Sequence, residues 1–503
     1  MPDGGERLRS VSWAETFPFV RLFSAFPHSI AFPPMVIALL AVVACYLTGR
    51  VLDAVWVAAG SGVNRVALSP SAAPDARFAA ELEEAIALAN AHFPPVSRDG
   101  QEGAQVAESR PGAPQRGPFA SLLTFERRCA AAAIQGIAAG RWGFSGDAQP
   151  ALLGSVAFAA RGALWLVTQR PWFALIFGAS QIAILSFFGG ALCRWVAVRA
   201  TRGESLGVGP ALRFACEKAG ALIAAPLAPP IAIAVLAAIV IAGGAVAGLF
   251  SQVPWLGGVF KVLAGLSFGL VLLAGLGMAL IALLSLFGTH LMWPTVAVES
   301  SDAFDALQRA AGYLFPRAWH VGFYSFVLLL FGGVWLLVAR FFALLVLKFS
   351  HAAADVGLSF FGVWTSYRSE DLSPLSAVWR MPAWNELSLF PALGGLPFWG
   401  AFGGGDLATS EIVMMWLLAF WVFLVVGWVA AFGVSFYFAG ATHMYLLLRH
   451  NVDGVDFDEI FLEESDSEDD IVFDDTGEGG GPDPAPTAPK EPDGPRTDMP
   501  ADT

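Results

Sequence analysis

Charge is what this chain of 503 residues has little of: only 14% of its side chains are Asp, Glu, Lys or Arg, against roughly a quarter in ordinary soluble domains. The deficit is deepest in the apolar runs. Those at about 171–193, 229–250 and 258–290, and the one beginning near Glu411, have no Asp, Glu, Lys or Arg near their centres. Charge buried at mid-membrane is the usual mark of ion coupling, so its shortage counts against a proton- or sodium-coupled pump. Cysteine is scarce too. Cys45, Cys129, Cys193 and Cys216 form no CxxC pair, so neither a zinc site nor a dithiol redox motif is written here, and no disulfide framework is visible. P-loop, HExxH and nucleophile-elbow patterns are also missing. No catalytic residue, cofactor-binding residue or metal ligand is predicted, and nothing points to nucleic acid. The apolar runs are continuous rather than alternating, which excludes a transmembrane barrel.

What is present is apolar length. The chain is 56% hydrophobic with a mean hydropathy of +0.61, and runs of about 20 apolar residues recur, the signal of membrane-spanning helices. The expected fold is all-α: a polytopic transmembrane helix bundle of about six spans, with cytoplasmic amphipathic helices and a disordered acidic tail. Residues 1–33 read as a cytoplasmic lead and 34–57 as the first span, retained because it is too long for the apolar region of a signal peptide. Residues 59–170 read as an extracytoplasmic helical region with a Pro/Gly-rich linker at 94–118. Within it, 75–93 and 119–140 have helical patterns, and 151–167 is either interfacial or an extra span. Residues 171–449 hold five spans in tandem span–amphipathic helix–span units. The last apolar run extends to about Leu448, roughly 57 Å of helix.

Basic residues near the span ends set the orientation. Arg194, Arg199, Arg202, Arg213 and Lys218 lie between the second and third spans, and Arg309 and Arg317 between the fourth and fifth. The expectation is a multi-pass protein of the cell (inner) membrane with both termini cytoplasmic. The formal charge of −13 sits in the tail, where residues 453–503 hold 18 acidic and 2 basic side chains. In its segment 453–475, Phe457, Ile460 and Phe461 fit one face of a short helix. They are the candidate docking residues for a basic cytoplasmic protein segment; a purely solvating tail is the alternative.

Two polar inserts are written alike. Shifted by 95 residues, Glu204–Ser205 falls on Glu299–Ser300, Ala211–Leu212 on Ala306–Leu307, and Ala215 on Ala310. The preceding span ends "GALCRW" (190–195) and "GTHLMW" (288–293), and "GATHMY" (440–445) follows the same pattern. The pattern predicts a repeated unit, with the glycine for close packing and the aromatic as an anchor at headgroup depth. Gly244 with Gly248, and Gly265 with Gly269, make GxxxG pairs that permit close helix contact. Arg50 and Asp53 stand three apart in the first span and are read as an intramembrane ion pair. His290, His320 and His443 fall near the predicted cytoplasmic face without metal-ligand spacing.

From about Pro171 to Glu464 the chain resembles uncharacterised bacterial multi-span integral membrane proteins. The residues carrying the likeness are "GGALCRWVAVRATRGE", "ALRFACEKAGALIAAPLAPP" and "YLLLRHNVDGVDFDEIFLEE". That resemblance implies a membrane architecture and brings no activity with it. The functional expectation is a non-enzymatic scaffold or assembly component, with a passive permease or small-solute channel as the alternative. A continuous polar lining would favour the permease, and packed apolar spans the scaffold.

Overall fold

A computed structural model describes residues 17–59, 117–143, 151–253, 257–359, 375, 379, 381–382, 409–456 and 471–472. Long helices dominate. A 3-10 segment, Pro18–Ser24, leads into α1 (Ala25–Ser29) and α2 (Phe32–Ala58). Next come α3 (Pro118–Ala138), α4 (Leu152–Gln169) and α5 (Pro171–Arg202). A short strand β1 (Ser205–Leu206), helix α6 (Val208–Glu217) and α7 (Ala219–Phe250) follow. Then come α8 (Gly257–Glu299), α9 (Ala303–Leu314), α10 (Ala318–Ser359), α11 (Thr409–Asp453) and β2 (Ile471–Val472). Seven of the helices are long and apolar enough to cross a membrane, so the fold is an all-α polytopic bundle.

The helices overrun the bilayer. At 1.5 Å per residue, a helix of about 43 residues is roughly 64 Å long, against a hydrocarbon core of roughly 30 Å. Burial shows where the excess goes. The far parts of α7 and α8 present exposed Ile239, Ile241, Leu266 and Leu272, as lipid-facing surface should. The main core lies at the opposite end, here called the base, where α5, α8 and α11 finish and α7 and α10 begin. Leu192, Leu222, Leu291, Met292, Met444 and Leu447 are fully buried there. Two smaller clusters lie elsewhere. One joins α10 and α11 through Leu347, Leu375, Trp379 and Val426. The other joins α2, α3, α4 and α5 through Tyr46, Phe119, Trp165 and Phe173.

The α3–α4 hairpin clarifies the span at 151–167. Trp56 near the end of α2 meets Phe173 at the start of α5, with ring centroids 5.2 Å apart. The chain therefore leaves α2 and enters α5 at the same end of the bundle. Between those points α3 and α4 run antiparallel, with Gly136 against Leu152 and Gly162 against Phe125. Helix α4 passes the length and hydropathy test for a span, but it cannot cross alone. Its partner α3 would have to cross beside it carrying Glu126, Arg127 and Arg128.

Several boundaries differ from the expectation. The third span runs from Ala219 straight through Pro226, Pro229 and Pro230 rather than starting at the proline pair. Neighbouring helices let membrane helices tolerate such prolines, and Pro226 and Pro229 are both buried against the base. The lead, read as a separate cytoplasmic segment, is part of the core over its described residues. Leu22 and Ala25 are fully buried, and Phe26 stacks on Trp335 at 4.0 Å between centroids. Phe19 and Phe26 of that lead pack against the same core. The helix expected at 75–93 and the linker up to residue 116 lie outside the described residues.

Candidate functional site at the base of the bundle

The three repeated hexads converge at the base, where Gly190 and Gly440, and Gly189 just before the first hexad, sit at close helix contacts, while Gly288 faces chiefly Leu284 of its own helix. A Cβ at Gly189 or Gly190 would strike Phe438 or Leu222, and one at Gly440 would press on Leu328. The aromatics that end the hexads are not headgroup anchors, as the sequence suggested. Trp195, Trp293 and Tyr445 are buried, and each spends its polar atom on a neighbour. The Trp195 indole donates to the Leu206 carbonyl at 2.6 Å, the Trp293 indole to Ser186 Oγ at 3.1 Å, and the Tyr445 hydroxyl to Glu299 at 2.6 Å. A buried indole or phenol needs such a partner, and these partners tie each long helix to another element. The two inserts repeat in space as well. Ala211 and Ala306, and likewise Ala215 and Ala310, are paired by the 95-residue shift, and all four are fully buried in the same core.

Glu299, the last residue of α8, is the centre of a polar knot. Its carboxylate pairs with Arg309 of α9 and lies 3.1 Å from Arg449 Nε of α11, while Tyr445 donates to it. Arg309 also pairs with Asp305 at 3.0 Å, and Tyr313 donates to Asp453. Burial, then the Asp453 hydrogen bond and charge, push the Tyr313 hydroxyl above its ordinary pKa. Asp302 caps α9 by accepting the Asp305 amide at 2.8 Å. Burial of a carboxylate is costly unless it is paired and hydrogen-bonded, and three partners satisfy Glu299. The knot fixes the ends of α8 and α11 to α9.

A second polar contact lies between the lead and α11. His28 Nδ1 and His443 Nε2 are 2.8 Å apart, with the rings parallel at 5.0 Å. One ring donates and the other accepts, so the two rings cannot both be imidazolium and keep this bond. Burial and the nearby Arg199 charge lower the His28 pKa to about 4, which keeps that ring neutral at physiological pH. Ser435 donates to the Ser29 carbonyl at 2.8 Å beside it. The fully buried Arg194 donates to the Ala297 carbonyl at 3.0 Å and stands over the Phe214 ring at 4.7 Å. Among the described residues no group of three His, Cys, Asp or Glu side chains could hold a metal ion.

The residues singled out in the sequence fare unevenly. Asp53 is buried, and its oxygens accept from the Phe119 and Ala120 amides at 2.7 and 2.8 Å. Its direct partners are thus the first amides of α3, where the helix dipole favours a carboxylate. Arg50 is exposed one turn away. His320 packs on Tyr324, away from the histidine pair. The GxxxG glycines Gly244, Gly248, Gly265 and Gly269 have nothing within 4 Å of an added Cβ, so neither pair forms a close contact. Phe457, Ile460 and Phe461 lie outside the described residues. Sequence reading missed His28 and the knot around Glu299. Of that knot, the Asp305–Arg309 pair at i,i+4 and the Asp302 cap of α9 are written in the sequence, and the structure holds both. Family profiles, curated proteins and solved structures offer no match to this chain.

Proposed function

We propose that the chain is a non-enzymatic integral membrane scaffold whose base presents cytoplasmic helices and an acidic tail to partner proteins. One observation carries this reading. The three longest-buried helix ends close on one another through Cys193, Leu291, Trp293, Phe438 and Met444. A passive pore would need a polar lining through that convergence. The polar side chains at the base instead bond helix to helix, which suits a platform of fixed shape. The orientation that goes with this reading puts both termini and both inserts in the cytoplasm, in the inner membrane. It rests on the arginines of the inserts and on their common location with the end of α11. Lys218 donates to the Ser300 carbonyl, and Tyr313 to Asp453. Impermeant labelling of a cysteine placed at residue 480 in intact cells would overturn that orientation.

Co-purification tests the scaffold reading. Full-length protein and a chain ending at Asp456 are each isolated from native membranes under mild detergent. The expected result is a discrete partner set retained by the full chain and depleted from the shorter one. Identical protein sets for both chains would remove the tail from the proposal.

A further inference from the structure

The turn between α5 and α6 is built as a short extended edge. Gly203 ends α5 in the left-handed conformation at φ 74°, and Arg199 donates to its carbonyl at 2.7 Å. Gly207 is extended at φ −67°, ψ 164° and starts α6. Between them, the Trp195 indole holds the Leu206 carbonyl, and the Leu206 side chain is buried. The backbone of Ser205–Leu206 is therefore pinned from one side in strand conformation. Its other side is taken by the chain's own tail: Ser205 pairs with Val472 and Leu206 with Ile471, antiparallel.

We infer that Ser205–Leu206 is a strand-docking edge for an acidic peptide, occupied in the resting molecule by residues 471–472 of the chain's own tail. The chemistry of the two sides matches. Ile471 and Val472 are β-branched residues suited to strand pairing. In sequence they follow Asp469 and Asp470 and precede Phe473, Asp474 and Asp475. The edge adjoins Arg199 and Arg202 in the last turn of α5. A two-residue ladder is weak in isolation. Here the receiving strand is already fixed, which reduces the ordering cost, and the tether to α11 raises the local concentration of the tail. Main-chain pairing supplies the register and opposite charge the attraction, the usual division of labour in strand addition. This site stands apart from the scaffold reading, because it rests on the observed pairing alone; if that reading holds, the tail covers the edge until a partner takes it.

Disulfide trapping in the full-length protein tests the inference. Opposed strand residues lie within disulfide range, so Ser205→Cys is combined with Val472→Cys in a Cys216→Ser background. The control pairs Ser205→Cys with Asp483→Cys. Under mild oxidation the 205–472 cross-link should form about tenfold faster than the control, as a docked segment should over a merely tethered one. Adding Ile471→Pro locks φ near −65° within the paired segment, away from the extended strand value, and should bring the rate down to the control. Raising the salt should slow it as well. Hydrogen exchange on the unmodified chain gives an independent reading, with slower exchange at 471–472 than at 480–500. Equal rates for the two cysteine pairs, or a fast 205–472 link indifferent to Ile471→Pro, would overturn strand docking.

Discussion

Glu299 is the residue on which the base depends most. With its side chain and that of Arg449 each 12% exposed, removing the negative charge leaves two arginines facing one another in a partly dry site. Glu299→Gln keeps the shape and loses the charge. It should lower stability in detergent by about 2–4 kcal/mol, read as a fall in Tm, whereas Glu217→Gln, in an exposed pair with Arg213, should change it by less than about 1 kcal/mol. Equal effects from the two substitutions would mean that the knot contributes no more than a surface pair. His28 gives a pH dependence of known sign. Its folded pKa of about 4 lies below the free value of 6.5, so the unfolded chain takes up the proton first as pH falls. The contribution is full above about pH 6.5 and is lost on the way down to pH 4, up to about 3 kcal/mol. A Tm profile between pH 7.5 and 4.5 should fall more steeply for the unaltered protein than for His28→Gln; parallel profiles would remove the histidine pair from the account. Of these features only the local Asp305–Arg309 pair was legible in the sequence. Glu299, Arg309 and Arg449 are separated by a helix break or by well over a hundred residues, and His28 and His443 stand at opposite ends of the chain, so no local periodicity links them.

At the scale of the element, the sequence was most informative where a pattern repeated. The 95-residue shift marked α6 and α9 as equivalent, and the alanines it pairs are buried in one core. Gly190 and Gly440 of the hexads, and Gly189 beside the first, do sit at close helix approaches, whereas Gly288 does not. The GxxxG pairs were read by the same rule, and the rule failed there, because spacing says which residues share a face but not whether another helix lies opposite. Proline misled in a similar way. Pro229–Pro230 looked like a span boundary, yet α7 continues through it because surrounding helices accept the freed backbone groups. The two classes of glycine make opposite predictions. Gly189→Ala drives a methyl into the Phe438 ring, which is itself held against Trp293, and should cost about 1–3 kcal/mol. Gly244→Ala meets nothing and should be neutral or gain up to about 1 kcal/mol from helix propensity. Thermal stability of the two variants in one detergent separates them. A large loss from Gly244→Ala would show that this face has a partner after all.

At the scale of the whole molecule, composition was enough for the class: few charges, long apolar runs and an all-α membrane bundle. It could not show that, among the described residues, the largest core lies at one end. That asymmetry arises because the helices are longer than the bilayer, and the surplus length at the base carries the side chains that bury one another. It also explains why most of the described buried polar residues, Arg194, Thr295, Thr442 and His443 among them, gather there, in a region that must hold helices together rather than face lipid. The lead was hidden from composition for the same reason, since its aromatics are spread among polar residues and declare themselves only against α10 and α11. The central claim is that this base closes the bundle. Solute flux into liposomes carrying the purified full-length protein tests it most directly. With small uncharged solutes and monovalent ions, the account predicts uptake at the rate of protein-free liposomes. Protein-dependent uptake that saturates with solute, and that changes when Gly189→Ala or Gly440→Leu fills the helix contacts of the base, would contradict it.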